Sequence, residues 1–442
     1  MKILFISLGC DKNLVDTEMM LGLLGREGYS FTDDEAEADI VVVNTCCFIG
    51  DAKEESINTL LEMAELKSSG QIRVLIAAGC LAQRYREEIQ KEIPQVDAVV
   101  GTAAIEEIGE AVGEALAGTK RNHYRELNEK PAALRDRVLT TGGHFAYLKI
   151  AEGCNKHCTY CIIPKVRGQF RSVPVEELTA QAEWLAEQGV RELILVAQET
   201  TLYGVDLYGE KSLPKLLQRL TEIEGIHWIR ILYCYPEEIT EELTETIARE
   251  PKICNYLDIP IQHAADGVLK RMGRRTHQEE LRRKIGRLRE RIPDICLRTT
   301  LISGFPGETE EDFEELYRFV NEMEFDRLGV FPYSQEEDTA AAEMPDQIAE
   351  EVKAFRRDEL MELQQAISFE KAEAMTGKVL EVMVEGKVAD EDVYVTRTYR
   401  DAPGVDGYLF LNTTAQLMTG DFVKVLVTDY NEYDLIGEIY HE

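Results

Sequence analysis

The chain has 442 residues, too many for one hydrophobic core, and its 44% apolar content is enough for about three domains. With 49 Lys and Arg against 82 Asp and Glu its formal charge is -33, which repels phosphate backbones and favours basic partners. Ten cysteines without a secretory signal fit metal or catalytic use in a reducing compartment, not a disulfide framework. The first apolar run, Ile3 to Leu8, is cut short by Asp11 and Lys12, and no run reaches membrane-spanning length. A cytoplasmic protein with no membrane partner is expected.

Residues 1–124 alternate short β-branched runs, Lys2 to Gly9, Asp39 to Thr45 and Arg73 to Gly79, with helical stretches, the pattern of a parallel α/β sheet. Asn13 marks one helix start, and Asp51 with Glu54 gives a capping-box signal for another. Each run is followed at once by a cysteine: Cys10, Cys46 and Cys80. The carboxyl ends of parallel strands share one edge, so the spacing predicts that the three thiols meet there. They are either small buried residues filling that edge or three ligands of a cluster with one open iron. Cys47 competes with its neighbour, but Cys46 follows its strand directly, as Cys10 and Cys80 do, and is the expected ligand. The charged stretch 125–141, with Pro131, reads as a linker.

In the central domain, 142–367, six candidate strands run from Phe145 to Glu152, Glu192 to Ala197, Trp228 to Tyr233, Tyr256 to Ile261, Leu297 to Ser303 and Arg327 to Pro332. Helical patterns separate them, and six βα units fit a partial barrel with its chemistry at the carboxyl ends of the strands. After the first strand comes a CxxxCxxC loop holding Cys154, Cys158 and Cys161. A closed zinc site or a plain electron-transfer cluster takes four protein ligands, so three thiols on one loop leave a metal position open. A zinc knuckle completed by His157 is disfavoured because His157 adjoins Cys158 and turns poorly onto the same ion. Gln198-Glu199-Thr200, Gln262-His263 and the turn Gly304 to Glu308 fall on the same edge, the glycines permitting close backbone approach. The basic stretch Lys270 to Lys284 is either a solvated face paired with Glu279 and Glu280 or a contact for RNA or acidic groups. Residues 371–442 hold five short strands punctuated by glycine, which suggests a small OB-like β-barrel. Its acidic balance suits a basic protein loop better than RNA.

With these motifs in place the chain resembles the radical S-adenosylmethionine (SAM) superfamily, and its first domain resembles the methylthiotransferases within it. Gly9 to Glu18 and Gln198 to Leu207 are similar to the branch that modifies small-subunit ribosomal protein twelve. The branch acting on transfer RNA usually has Gln-Met where this chain has Asp11-Lys12. Cys47 is a departure, at a position the family usually fills with a small non-ligating residue. The resemblance implies that Cys154, Cys158 and Cys161 carry catalysis by holding a four-iron, four-sulfur cluster whose fourth iron is chelated by SAM. It places Tyr160 against the adenine, Gln198 and Glu199 at the methionine end, and Gly304 and Glu308 in the adenosine pocket. Cys10, Cys46 and Cys80 would hold a second four-iron, four-sulfur cluster that carries sulfur. The last barrel resembles a TRAM domain, with Arg397 and Arg400 on an exposed turn contacting substrate. The implied partners are ribosomal protein twelve as substrate, an external one-electron reductant and a sulfur donor, with RNA contact secondary. The alternatives are the same chemistry on transfer RNA and a non-catalytic iron–sulfur scaffold, which would leave the Gly304 to Glu308 turn without a purpose.

Overall fold

Three large sheets and one two-stranded ribbon organise the chain in a computed structural model that describes residues 1–129 and 137–441. Strands β1 (Lys2–Ser7), β2 (Ser30–Thr32), β3 (Ile40–Thr45), β4 (Val74–Ala78) and β5 (Ala98–Val100) pair in parallel in the order β2-β1-β3-β4-β5. In β3, Ile40 and Val42 pack under the helices Asp11–Arg26 and Ile108–Leu116. Val41 and Val43 face the opposite layer, with Leu60 and Met63 of the helix Gly50–Ser68. That burial on both faces explains an uninterrupted apolar run instead of alternation. The helix after β3 begins at Gly50 without a side-chain cap, so the Asp51–Glu54 box is not formed, whereas Thr309 and Asp312 make a reciprocal box on the helix Glu310–Met323. Of the expected linker, 130–136 lie outside the described residues. Its later part is packed, with Thr140 donating its backbone N–H to Glu18 Oε1 at 2.8 Å.

The central sheet contains β6 (Phe145–Lys149), then β9 (Glu192–Val196), β10 (Trp228–Ile231), β11 (Ile253–Asp258), β12 (Cys296–Ser303) and β13 (Arg327–Pro332), paired in parallel in that order and open between β6 and β13. Between β6 and β9, the short strands β7 (Ala151–Glu152) and β8 (Arg171–Ser172) pair antiparallel and flank the cysteine loop. The helix Glu350–Glu373 leads into the last unit. Strands β14 (Val379–Lys387), β15 (Val393–Thr398), β16 (Leu409–Asn412), β17 (Phe422–Tyr430) and β18 (Leu435–Ile439) close there into a barrel in the order β14-β15-β16-β18-β17.

This small barrel docks on the amino ends of the central strands. Arg397 Nη2 meets Glu192 Oε2 at 2.6 Å, Arg230 Nη1 donates to Tyr399 O at 2.6 Å, and Arg400 Nη2 meets Asp326 Oδ1 at 2.8 Å. Glu192 opens β9 and Asp326 precedes β13, so the seam lies at the opposite end of the sheet from the cysteine loop. The expectation of an exposed, substrate-contacting turn at Arg397 and Arg400 is therefore corrected. Arg397 is 0% exposed, because a guanidinium between Glu192 and Glu385 is held inside the seam by charge-assisted bonds. Among the described residues no helix is long and apolar enough to cross a membrane.

Candidate active site

The cysteine loop starts where β7 ends. Gly153 has φ +80°, and a Cβ there would fall 2.1 Å from Gln169 O, so only glycine lets the chain turn against β8. The loop is tied down by bonds from Cys154 N to Gly168 O (3.1 Å) and from Thr159 N to Met272 O (3.0 Å). Backbone N–H groups of Lys156 and Ile163 point at the Cys154 and Cys161 sulfurs, an arrangement that favours thiolate. Burial prevails in the free thiols, pushing Cys154 up to about 11 and Cys161 higher still. Such thiols ionise when iron displaces the proton, so loading a metal and losing protons are one event. Tyr160, partly buried, stacks edge-on to Phe305 at 6.4 Å. His157 is exposed with φ +54°.

At the edge of the first sheet, Cys10 occupies the position before the helix Asp11–Arg26 without a side-chain capping bond and is exposed, while Cys46 and Cys80 are buried. Gly9, at φ +87°, lies so close to Cys46 that a Cβ would sit 2.8 Å from its sulfur. Burial raises the Cys46 and Cys80 thiols, and the neighbouring cysteines raise them further, Cys10 for Cys46 and all three others for Cys80. Cys47, pushed up to about 12 by burial, has Arg84 and Glu336 as its charged surroundings. Among the described residues the ligand atoms of neither cysteine trio lie within 4.8 Å of one another; the group that does is Glu107, Glu110 and His123. A single zinc ion at about 2.3 Å from each sulfur would draw the thiolates within that limit, whereas a polynuclear cluster spaces them wider. Neither trio is therefore pre-placed around a single ion.

One side chain joins the two trios, and no motif announced it. Arg167 ends the helix Ile163–Arg167 that follows Cys161, and it is 2% exposed. Its Nε donates to Cys80 Sγ at 3.3 Å, Nη1 meets Asp16 Oδ2 at 2.6 Å and Glu152 Oε2 at 3.3 Å, and Nη2 donates to Asn13 Oδ1. Glu152 Oε1 accepts from Gln198 Nε2 at 2.7 Å, and Gln198 Oε1 accepts from Gly153 N at 2.8 Å. A chain of hydrogen bonds thus runs from Cys80 to the residue before Cys154. It uses both ends of the Gln198 amide.

Glu199 is differently placed. Its Oε1 accepts from Thr201, its Oε2 is buried with no hydrogen-bond partner, and Lys156 Nζ stands 3.8 Å away. Burial raises its carboxyl to about 7. A buried carboxylate oxygen without a hydrogen-bond partner, beside the cysteine loop, is an acceptor open to a ligand's donor. At the Gly304 turn the close approach comes from the chain itself, since a Cβ on Gly304 would fall 2.3 Å from Lys353 Cγ. Glu308 accepts from Phe305 N at 3.1 Å and pairs with Arg356 at 2.8 Å, closing the turn. His263 accepts from Ala265 N at 3.0 Å and is a satisfied core group on that side. The basic stretch is mixed: Arg274 is buried and donates to Pro260 O at 2.9 Å, Arg282 pairs with Glu322 at 2.7 Å and Lys284 donates to Ile239 O at 2.9 Å, while Lys270, Arg275 and Arg283 are exposed.

Two parallel sheets with thiols gathered at their carboxyl edges define a radical SAM enzyme, and comparison agrees. Residues 148–320 match the radical SAM superfamily, residues 2–101 match an uncharacterized protein family designated UPF0004, and residues 376–439 match the TRAM domain. The chain belongs to the ribosomal protein uS12 methylthiotransferase (RimO) family. It is 61% identical over 437 residues to the member from Lachnoclostridium phytofermentans, and 52% identical over 442 residues to that from Pelotomaculum thermopropionicum, with 99% of each chain covered in both cases. Among solved structures it shares a fold with the radical SAM methyltransferase TsrM of Kitasatospora setae, with cobalamin and an iron–sulfur cluster bound. The TM-score is 0.55 at 13% identity, over 75% of this chain and 71% of that one. An iron–sulfur cluster and SAM are thus its cofactors.

Proposed function

We propose that this chain adds a methylthio group to the β-carbon of an aspartate in ribosomal protein uS12, using two four-iron, four-sulfur clusters. Cys154, Cys158 and Cys161 hold one and Cys10, Cys46 and Cys80 the other. The observation that carries the reading is the run of hydrogen bonds through Arg167 and Gln198, which links Cys80 of one trio to the loop of the other. When bound, the clusters and SAM supply one-electron chemistry strong enough for an unactivated C–H bond, together with the sulfur and the methyl group. Glu199 holds the amino group at the methionine end, Tyr160 lines the adenine side, and Gly304 and Glu308 shape the wall behind it. Gln198 fixes the entry of the cysteine loop. Arg167 donates to Cys80 and keeps the two trios in register. The working units are 1–124 for the second cluster, 142–367 for the radical chemistry and 371–442 as a docked barrel. Reductant and sulfur donor are external, in the cytoplasm.

The test is anaerobic reconstitution of the full chain with iron and sulfide. It is followed by offering purified uS12 and a transfer RNA anticodon stem at equal ionic strength, with mass spectrometry of both. Label on uS12 alone is expected. Replacing Cys154, Cys158 and Cys161 by Ala should leave about half the iron and abolish SAM cleavage. Loss of all iron from a folded variant would refute two separate sites.

A further inference from the structure

Between Cys10 and the mouth of the central sheet lies a charged pair that the ligand sets leave unused. Asp11 and Lys12 begin the helix Asp11–Arg26, and both side chains are 8% exposed. The Lys12 ammonium is 3.3 Å from the centroid of the Tyr233 ring and 3.2 Å from Asp11 Oδ1. That oxygen also accepts the Tyr233 hydroxyl at 3.0 Å, while Asp11 Oδ2 is buried with no partner. Tyr233 itself follows β10 in a left-handed conformation, φ +59°. Such backbone strain in a non-glycine residue persists where the surroundings over-determine it, commonly at functional sites.

An ammonium has three donors, and here it meets one carboxylate oxygen and a ring face. A buried acceptor without a partner costs free energy beside it. Spare donors next to a spare acceptor, at the junction of two domains, form a receptor for a group that brings the opposite set. An aspartate residue does so: its carboxylate accepts and its backbone N–H donates.

We infer that Lys12 is a specificity-determining residue that pairs with the carboxylate of the aspartate to be modified, while Asp11 Oδ2 accepts a backbone N–H of the same segment. The inference rests on the reading of uS12 aspartate as substrate. Chemistry favours this anchor, because the β-carbon is bonded directly to the carboxylate carbon, so fixing the carboxylate fixes the C–H bond that must react. Cys10, one of the proposed ligands of the second cluster, directly precedes the pair in the chain. Electrostatics favours it too. In a chain of net charge -33 a carboxylate is repelled at long range, so its recognition needs a local cation.

The test measures binding of purified uS12, carrying either the aspartate or asparagine at that position, to anaerobically reconstituted enzyme. Wild type is expected to prefer aspartate by about 10-fold or more, the size of a charge-assisted hydrogen bond. In Lys12→Met the ratio should fall to about one, and Lys12→Arg should restore part of it. Iron content is read on each variant, and one that fails to load is set aside. The wild-type ratio still decides, because equal binding of the two proteins by wild type overturns the inference. So does an undiminished ratio in a loaded Lys12→Met. If wild type labels the transfer RNA stem and not uS12, it is the substrate reading that has failed.

Discussion

Glu199 joins two properties that ordinarily conflict. Its carboxyl is raised to about 7 by burial, so its charge appears only as pH passes neutrality. A carboxyl raised above its unfolded value gives full stability below about 4.5, and that stability is lost as pH rises through about 7. Glu199→Gln should therefore stabilise the SAM-free protein at pH 8 by on the order of 2–3 kcal/mol and change little at pH 5. With SAM the order is predicted to reverse, because the carboxylate proposed to hold its amino group then gains a cation. Thermal unfolding of the reconstituted protein at pH 6 and 8, with and without SAM, checks this. The ligand-induced shift should grow with pH in wild type and stay flat in Glu199→Gln. A buried charge kept against its own cost is the stability–function trade expected of a binding group.

Between β3 and the helix Gly50–Ser68 the turn separates two adjacent cysteines. Cys46 backs onto Gly9 and Cys10, and its backbone N–H is held by Ser56 Oγ at 2.9 Å, whereas Cys47 looks toward Arg84 and Glu336. Cys46→Ala should lose about half of the iron and Cys47→Ala should keep it, measured by iron analysis of the folded protein. Gly9→Ala should behave like Cys46→Ala, since its Cβ would lie 2.7 Å from Cys46 Cβ in a backbone conformation that alanine resists.

At this scale the long buried strands were legible in the sequence, because runs such as Val41-Val42-Val43 have one reading in a two-sided sheet. Ser30–Thr32 and Ala98–Val100 were not. Three residues carry no periodicity, and pairing to β1 and β4 alone makes them strands. The cysteines were legible because their chemistry is local to their motifs. Arg167 and Asp16 were not, because the pair meets across the domain junction, and Glu152 was not, because its bonds to Arg167 and Gln198 appear only once the loop is folded. Arg397 was misread from the ordinary exposure of charged residues, which its ion pairs with Glu192 and Glu385 override.

For the molecule as a whole, the acidic surface and the charged interior do separate work. The last barrel is fastened by Arg397, Arg230 and Arg400, and removing residues from 371 onward would strip Glu192 of Arg397 and Asp326 of Arg400 while leaving Arg230 without its acceptor Tyr399 O. The truncation is thus expected to destabilise the central sheet in addition to altering substrate choice. Arg397→Ala alone should cost about 1.5–3 kcal/mol, the worth of its charge-assisted bonds, because Arg230 still pairs with Glu192, and the loss is read as a lower unfolding midpoint. Iron at the cysteine loop should be retained at low temperature, since the seam lies at the other end of the strands.

The seam that Arg167 closes has a further consequence, for the order in which the chain folds. Each sheet is built of consecutive βα units and assembles from neighbours in sequence, but Asp16 meets Lys149 and Arg167 only after two finished domains approach. Before docking these ions are solvated, and Ile162 and Val166 beside Arg167 have yet to pack into the first domain's core. Docking is therefore predicted to be a late, separate kinetic phase, slower than sheet formation and accelerated by lower ionic strength. Refolding followed by far-ultraviolet circular dichroism should finish before a fluorescence signal reporting on the seam. Arg167→Met should lengthen that second phase while leaving the first unchanged. Newly made chains would then pass through an interval in which both thiol trios are formed but open to solvent, and that interval is when iron and sulfide have their easiest entry.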